Sequence, residues 1–288
     1  MTTPTTPLRE KMLIDMALAD YKQSTKKLYV SAAKGMADYY NRSPEFLTED
    51  EVKHYLLYLK DERKLAKSTL RQKYAGIRFL FRNTLRKPLG VFDFLKAGKE
   101  RRLPDVLSRD EVSRSIALVK KPMYAMVLKA TYSGGLRISE TLNMCSYDID
   151  RERMFMKVRL GKNSKDRYVP LSPTLLAELE RYWRYDRPKV AGTLFFPGRN
   201  LVDRSVSPET VRKAYRSALE VAGITKKIAL HSLRHSLATH LLEAGVSLKS
   251  VQYILGHKHL TTTLIYAHMT DAGLENLRIE MDKMASDL

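Results

Sequence analysis

Two stretches toward the C-terminal end of this 288-residue chain decide how it can fold: HSLRHSLATHLLEAG, His231–Gly245, and ILGHKHLTTTLIYAHM, Ile254–Met269. In the first stretch, His231 and Arg234 are three residues apart, so they lie on one face of a helix. The opposite face carries leucines, and we expect it to be buried; its members are Leu233, Leu237 and Leu241. The pattern predicts a core helix that presents polar groups on one side.

The second stretch places a histidine and a tyrosine close together. Gly256 ends the preceding helix, because glycine readily adopts the left-handed backbone found after a helix, and His257 then projects from the helix terminus. Three threonines can cap a short helix that carries Tyr266, nine residues after His257. Taken alone, each of these side chains also fits an ordinary capping, surface or packing role.

The spacing of His231 and His235 also permits a metal site, because side chains at i and i+4 are neighbours on a helix. Zinc proteases with such a pair carry a glutamate directly after the first histidine, whereas Ser232 stands there in this chain. No cysteine or carboxylate is nearby in the sequence either. We therefore expect no metal ion and no cofactor.

A third stretch, SGGLRISE at Ser133–Glu140, carries an arginine at a predicted helix start. Its Gly-Gly pair allows a tight turn and a close approach to a ligand. The turn delivers Arg137 to the start of a helix that continues through Leu142. The plain alternative is a surface pair of Arg137 with Glu140, one turn further along the helix.

Residues 152–171 differ from the rest of the chain in their periodicity. Apolar and polar side chains alternate, break at Gly161–Asp166 and resume at Arg167–Leu171. This alternation predicts a β-hairpin with a polar, basic turn. Lys162 lies at the tip, where a solvated basic turn is the plain alternative.

Positive charge dominates the composition. The chain has 51 Lys and Arg against 32 Asp and Glu, a net charge of +19. The excess is shared, with 22 basic against 12 acidic side chains in residues 1–103 and 29 against 20 in residues 104–288. Because neutralising phosphates releases counterions, this balance favours a polyanionic partner bound by both halves.

The cysteine count and the hydropathy pattern indicate the cellular compartment in which the protein works. Cys145 is the only cysteine, which excludes an intrachain disulfide and fits a reducing cytosol. No apolar run approaches the length of a membrane span, and the polar start lacks the apolar region of a signal peptide. We expect a cytoplasmic protein that has no membrane partner.

The chain divides into two predicted domains. From Leu8 to about Leu95 apolar residues recur at helical spacing, and a polar, basic stretch (KAGKERRLP) ends at Pro104. We predict an N-terminal helical domain over residues 1–98, a linker over 99–107 and a C-terminal domain over 108–288. The fold class is mainly α: a small helical domain plus a larger, mainly helical domain with a short antiparallel hairpin or sheet.

Five motifs occur in a fixed order: GLR, a hairpin GK about 25 residues on, HxxR, LGH, and a tyrosine nine residues after that histidine. In this order and spacing the chain resembles the tyrosine recombinase/integrase family, particularly its compact bacterial Xer-like and integron-like branches. The resemblance runs from Lys22 to Ala285 and is strongest in Ser133–Met269. It implies a core-binding N-terminal domain and a catalytic C-terminal domain. The extra helix that integron integrases carry before HxxR is not evident.

The resemblance implies a role for each motif residue at the scissile phosphate of DNA. Arg137 and Arg234 would bind its non-bridging oxygens, as guanidinium geometry favours. His231 and His257 would add hydrogen bonds, and His231 would also take the proton of the tyrosine.

The resemblance also implies which residue is the nucleophile and which is the general acid. Tyr266 would attack phosphorus and form a 3′-phosphotyrosine, Lys162 would protonate the leaving 5′ oxygen, and Glu140 would brace Arg137. The implied activity is site-specific recombination of duplex DNA, in integration, excision or resolution, without metal or ATP.

The implied partners are double-stranded recombination sites, three further copies of the chain in a synaptic homotetramer, and accessory proteins or a second recombinase. We expect DNA-backbone contacts from clustered residues of the first domain: Lys67, Arg71, Lys73 and Arg78, followed by Thr25 and Lys26. We expect the segment after Tyr266 to hold the tetramer together, and packing of that segment on its own catalytic domain is the plain alternative. The resemblance also implies association with the bacterial nucleoid. Two alternatives stay open: a nicking and closing enzyme of the type IB topoisomerase kind, and a DNA-binding regulator with an inactive site.

Overall fold

The computed structural model describes residues 6–95, 105–159, 166–198 and 201–267. The chain separates into two compact units, and the division falls between Arg102 and Leu103. Both units are mainly helical, and the second contains short antiparallel sheets, which confirms the predicted fold class. The division falls inside the stretch predicted as the linker; the exact domain bounds stay a prediction. No helix in the described ranges is long and apolar enough to cross a membrane.

The first unit is built from helices only, within its described residues: α1 (Pro7–Leu18), α2 (Gln23–Tyr40), α3 (Glu49–Leu57), α4 (Lys67–Phe79) and α5 (Val91–Phe94). Helices α3 and α4 continue as π-helical turns, Tyr58–Glu62 and Leu80–Thr84. Helix α2 packs along α4, and the residues between them are buried, among them Ala32, Met36 and Ile77. Gly76 permits this approach, because a Cβ there would lie 3.0 Å from the Tyr29 Cα.

The second unit contains eight α-helices among its described residues: α6 (Arg109–Ala117), α7 (Pro122–Ser133), α8 (Ile138–Leu142), α9 (Pro173–Arg181), α10 (Pro208–Val221), α11 (Leu230–Glu243), α12 (Leu248–Leu255) and α13 (Leu260–Ala267). A 3-10 helix, Ser146–Asp148, and a π-helical turn, Tyr182–Asp186, complete the helical segments of its described ranges. Helix α7 contacts α6, α8, α9, α10 and α11, so it forms the centre of the unit. Its core-facing side chains are apolar, including Val127 and Leu128, neither of which is exposed.

A three-stranded antiparallel sheet lies beside these helices, in the order β1 (Ile149–Asp150), β2 (Phe155–Val158) and β3 (Arg167–Pro170). The β2–β3 register pairs Met156 with Val169 and Val158 with Arg167, which confirms the predicted hairpin. All four of these side chains are buried, because alternate residues of a strand face the same side. The predicted tip residue, Lys162, lies outside the described residues. A second, two-stranded sheet pairs β4 (Pro197–Gly198) with β5 (Leu201–Ser205).

The prediction that α11 has one buried apolar face and one polar face is wrong. Leu233 is buried, but Leu237 and Leu241 are only partly buried, whereas Arg234 and Ser236 have no exposed surface. The reason is that α11 packs against α7, α12 and α13, so most of its circumference is covered. A cationic side chain at its centre therefore needs partners from the elements around it.

Candidate active site

The turn between α7 and α8 places the first arginine. Gly135 adopts a positive φ of 57°, which costs glycine little, and the chain then enters α8 at Arg137. The Arg137 backbone N–H donates to Glu140 Oε2 at 2.8 Å, and its Nη1 donates to Glu140 Oε1 at 2.7 Å. The Arg137 side chain is 39% exposed while that of Glu140 is only 6% exposed. The guanidinium of Arg137 is therefore partly exposed to solvent while Glu140 holds it in place.

The second arginine, Arg234, is fully buried at the centre of α11. Its Nη1 donates to the carbonyl oxygen of Gly135 at 2.7 Å, and its Nη2 donates to the carbonyl oxygen of Leu255. These two bonds tie the turn before α8 to the end of α12. Burial lowers the pKa of Arg234 to about 10, with the charge of Arg137 adding to the effect, so the side chain remains a cation at neutral pH.

Glu140 is the carboxylate that these cations share. Its oxygens accept hydrogen bonds from Arg167 Nη1 at 3.0 Å and Nη2 at 2.8 Å, in addition to those from Arg137, and Arg234 Nη1 lies 3.8 Å away. Burial alone would raise the pKa of Glu140, but the hydrogen bonds and charges of Arg167 and Arg137 outweigh it and lower the pKa to about 2. One buried carboxylate therefore organises three arginines.

Arg167 is a member of the cluster that the sequence reasoning missed. It begins β3, its side chain is 5% exposed, and its Nε donates to the carbonyl oxygen of Ile254 at 2.9 Å. Gly256 lies directly over it, since a Cβ there would come within 2.9 Å of the Arg167 Cδ. A signal was present in the sequence: Arg167 occupies the same face of its strand as Val169, where an apolar residue is the usual choice.

The turn after α12 places His257. Gly256 has φ 60° and ψ 46°, which confirms the predicted left-handed C-cap. The His257 Nδ1 lies 2.9 Å from Thr263 Oγ1, and its ring stacks on Tyr266 with centroids 6.3 Å apart. Burial, followed by the charges of Arg234 and Arg137, lowers the pKa of His257 to about 4. The imidazole is therefore neutral at neutral pH.

Tyr266 lies on α13 with only 2% of its surface exposed, packed against Ala238, Val251 and Leu255. Its hydroxyl lies 2.5 Å from the Nδ1 of His235. Burial raises the pKa of Tyr266, and the positive charges of Arg234 and Arg137 partly offset the rise. The site thus holds a buried phenol within the field of two arginines.

His231 contacts the His235 ring, and His235 rather than His231 is the hydrogen-bond partner of the phenol among the described residues. The His231 and His235 rings meet edge to face with centroids 4.5 Å apart, and His231 is the more exposed of the two. Burial, Arg234 and Arg137 lower the pKa of His231. The expectation that His231 takes the proton of Tyr266 stays a prediction, and the hydrogen bond of the Tyr266 hydroxyl in the described residues is with His235.

The structure brings six predicted site residues into one region: Arg137, Glu140, His231, Arg234, His257 and Tyr266. Lys162 lies outside the described residues. Within the described ranges, no three His, Cys, Asp or Glu side chains are grouped so that they could hold a metal ion.

Comparison with known families decides what this region belongs to. Residues 105–272 match the phage integrase family, and residues 8–91 match the N-terminal SAM-like domain of phage integrases. The chain belongs to the phage integrase family. It is therefore a tyrosine recombinase, as the motif order predicts.

Relatives of this recombinase cover most of its length. A Sinorhizobium fredii protein named as an integrase/recombinase is 37% identical over 91% of this chain and 84% of its own. The tyrosine recombinase XerD of Staphylococcus saprophyticus is 33% identical over 84% of this chain and 85% of its own. A crystal structure of a lambda integrase dimer bound to a COC′ core site has the same fold, with a TM-score of 0.69, 20% identity, and coverage of 88% of this chain and 95% of that one.

The predicted DNA-contacting residues of the recombinase's first unit differ in their surroundings. Lys67, Arg71 and Arg78 are exposed on α4, four and seven residues apart, so they share one face of the helix. Lys73 instead donates to the backbone and side-chain oxygens of Ser31 on α2, at 3.3 and 3.4 Å. The two second-choice residues, Thr25 and Lys26, are half-buried near the start of α2.

The shared carboxylate yields a stability prediction for the recombinase. Replacing Glu140 by Gln should destabilise the second unit by about 3–5 kcal/mol, because three cations then lose their buried counter-ion. Glu209→Gln is the matched control, since Glu209 pairs with Arg212 at an exposed site, where an ion pair contributes little. The measurement is urea unfolding at neutral pH.

The lowered pKa of Glu140 also predicts how its contribution to the free energy of unfolding changes with pH. The folded-state pKa of Glu140 is about 2 against an ordinary 4.5, so its contribution is complete above pH 4.5 and is lost as pH falls toward 2. The stability difference between the native chain and Glu140→Gln should shrink across that window. A difference that stays constant, or a Glu209→Gln variant that is equally destabilised, would contradict the assignment.

Proposed function

We propose that this recombinase cuts and rejoins duplex DNA at specific sites through a covalent 3′-phosphotyrosine on Tyr266, with neither metal nor ATP. The observation that carries the proposal is the position of the Tyr266 hydroxyl. It is buried beside His235 and His257, and the charges of Arg137 and Arg234 act on it. A phenol surrounded by fixed cations and neutral imidazoles is suited to attack an anionic phosphate.

The arginines supply the charge that this reaction needs. A guanidinium matches the non-bridging oxygens of a phosphate in geometry and stays charged at working pH. Arg137 is partly exposed and is held in place by its ion pair with Glu140, so it can bind a phosphate that approaches from solvent. Arg234 contributes its charge from the buried side, and His231 and His257 add hydrogen bonds to the same phosphate.

The covalent step keeps the energy of the broken phosphodiester bond in a phosphotyrosine ester. The Tyr266 oxygen forms a bond to phosphorus as the bond to the 5′ oxygen breaks, and Lys162 protonates that leaving oxygen. The resulting phosphotyrosine ester can be attacked by a 5′ hydroxyl in the reverse sense, so no ATP is needed. The role of Lys162 rests on the motif resemblance.

DNA as the substrate is supported by charge and by fold. The net charge of +19 is spread over both halves of the chain, as a polyanion that contacts both units requires. The lambda integrase of the same fold is a dimer bound to a core site. We propose that the α4 face formed by Lys67, Arg71 and Arg78 contacts the DNA backbone, while Lys73 holds α4 to α2.

The nucleophile is tested by Tyr266→Phe. The variant should bind DNA with unchanged affinity but form no covalent adduct, because only the phenolic oxygen is removed. A nicked duplex that traps the intermediate is incubated with protein, and adducts are resolved on a denaturing gel. Tyr253→Phe is the control, since Tyr253 is 57% exposed on α12, and it should form adducts normally. Adducts formed by Tyr266→Phe would refute the assignment, and an absence of adducts with the native chain would favour a regulator with an inactive site.

The independence of cleavage from metal ions and the role of Lys162 as general acid are tested on the same nicked substrate. Cleavage should survive excess EDTA, because the described arginines and histidines supply the charge stabilisation. Lys162→Ala should slow cleavage by about 100-fold or more, the usual contribution of a general acid, and a 5′-phosphorothiolate leaving group, which needs no proton, should restore the rate. Restoration of EDTA-inhibited cleavage by Mg²⁺ or Zn²⁺ would contradict the first claim. A Lys162→Ala rate that the thiolate leaves unchanged would contradict the second.

We further propose that four copies act together on two DNA sites, held by the segment after Tyr266. Recombination requires four strand cuts, and each chain offers one nucleophile. The segment over residues 273–288 lies outside the described residues, and its sequence contains apolar side chains at Leu274, Leu277 and Ile279. Deleting residues 273–288 should leave binding to one site nearly intact and abolish recombination between two. A truncated chain that recombines normally would exclude this role.

A further inference from the structure

We infer that His235 is a further catalytic residue, which accepts the phenolic proton of Tyr266 as that oxygen attacks phosphorus. The inference rests on the proposed function, because it requires Tyr266 to be the nucleophile. The motifs that carry the family resemblance give His235 no role, although it directly follows Arg234.

The contact itself involves the reacting atom. The Nδ1 of His235 lies 2.5 Å from the Tyr266 hydroxyl oxygen, and among the described residues it is the hydrogen-bond partner of that oxygen. Helix α11 packs against α13, so the two side chains are held by their helices rather than by a surface loop. A proton acceptor must lie within hydrogen-bond reach of the proton it takes, and His235 meets that condition before DNA is bound.

The surroundings of His235 keep it in the form that can accept a proton. Its neighbours are Arg234 and His231 on its own helix, His257 after α12, and Tyr266 on α13. Burial, followed by the interactions with His231, Arg234 and His257, lowers the pKa of His235 to about 4. The ring is therefore neutral at neutral pH, and Nδ1 offers a lone pair when Nε2 carries the hydrogen. Tyr132 of α7, the other helix packed on α11, faces His240 instead.

The proton and the bonds balance over the reaction cycle. In cleavage, the Tyr266 O–H proton passes to His235 Nδ1, the Tyr266 oxygen bonds to phosphorus as the bond to the 5′ oxygen breaks, and the proposed acid Lys162 protonates that departing oxygen. In rejoining, a 5′ hydroxyl attacks the phosphotyrosine and gives its proton back to Lys162, while the Tyr266 oxygen leaves and takes its proton back from the His235 imidazolium. No further reactant is consumed.

A second tyrosine–histidine pair on the same helix provides a matched control. The Tyr132 hydroxyl lies 2.8 Å from the Nδ1 of His240, five residues after His235. Both histidines contact a tyrosine from α11, but His240 lies outside the candidate site. Asparagine keeps an amide atom at the position of Nδ1 without a titratable ring, so His235→Asn retains a hydrogen bond and removes the base.

The DNA site is first identified by selecting DNA sequences that the full chain binds. The experiment then measures the rate of single-turnover cleavage of a nicked duplex carrying that site, between about pH 6 and 9. The native chain and His240→Asn should give rates that change little with pH. His235→Asn should cleave about 100-fold more slowly at neutral pH, and its rate should rise about tenfold per pH unit, because only the ionised fraction of Tyr266 can then attack. His231→Asn should be slower without acquiring that slope.

The outcomes separate this inference from the proposed function. A folded fraction that is the same at every pH scales all the rates equally and leaves the pH slope unchanged, so circular dichroism of each variant is recorded across the same pH range. A 5′-phosphorothiolate should not restore His235→Asn. If Tyr266→Phe still forms adducts, the proposed function itself is wrong. If Tyr266→Phe is inactive but His235→Asn keeps the native pH profile, His235 is not the acceptor. A steep slope in His231→Asn alone would assign the proton to His231 and overturn the inference.

Discussion

The site depends on the burial of one carboxylate among three guanidinium groups. Glu140 is 6% exposed, Arg167 is 5% exposed and Arg234 is not exposed at all. Removing these charges from water costs several kcal/mol for each isolated ion, a cost that falls only when the charges are paired and hydrogen-bonded. The backbone carbonyls of Gly135, Ile254 and Leu255 accept hydrogen bonds from three further guanidinium nitrogens, whereas the buried Arg234 Nε has no hydrogen-bond partner among the described residues. Burial of the cluster therefore requires that the α7–α8 turn, β3 and the end of α12 meet.

The same requirement connects the short sheet to the chemistry. Arg167 extends from β3 to Glu140 on α8 and to the backbone before Gly256. His257 follows that glycine, and Arg137 caps the helix that carries Glu140. A displacement of β3 would thus change both the arginine and the histidine that we propose to bind phosphate. The hairpin contributes more than the predicted basic tip, because its buried strand holds the site in place.

Local sequence patterns were enough to predict the elements but not the contacts around Arg234. The hairpin alternation and the left-handed Gly256 both depend on near neighbours, and the structure contains both of them. The burial of Arg234 depends on three helices that pack around α11 and was not predicted. His235 and Arg167 were missed for the same reason, since their partners lie 31 and 27 residues away along the chain. The family resemblance implied the roles at the scissile phosphate, and the packing adds the contacts of Arg167 and His235, which short-range patterns do not predict.

The central claim is that Glu140 and Arg167 act as one unit in holding the residues that we propose to be catalytic. A double-mutant cycle on single-turnover DNA cleavage tests it most directly, using Glu140→Gln, Arg167→Met and the combined variant. If the two residues act through their shared ion pair, the combined variant should cleave about as slowly as the slower single variant, because the second change removes nothing that still functions. Rate reductions that multiply, so that the two effects are independent, would contradict the account.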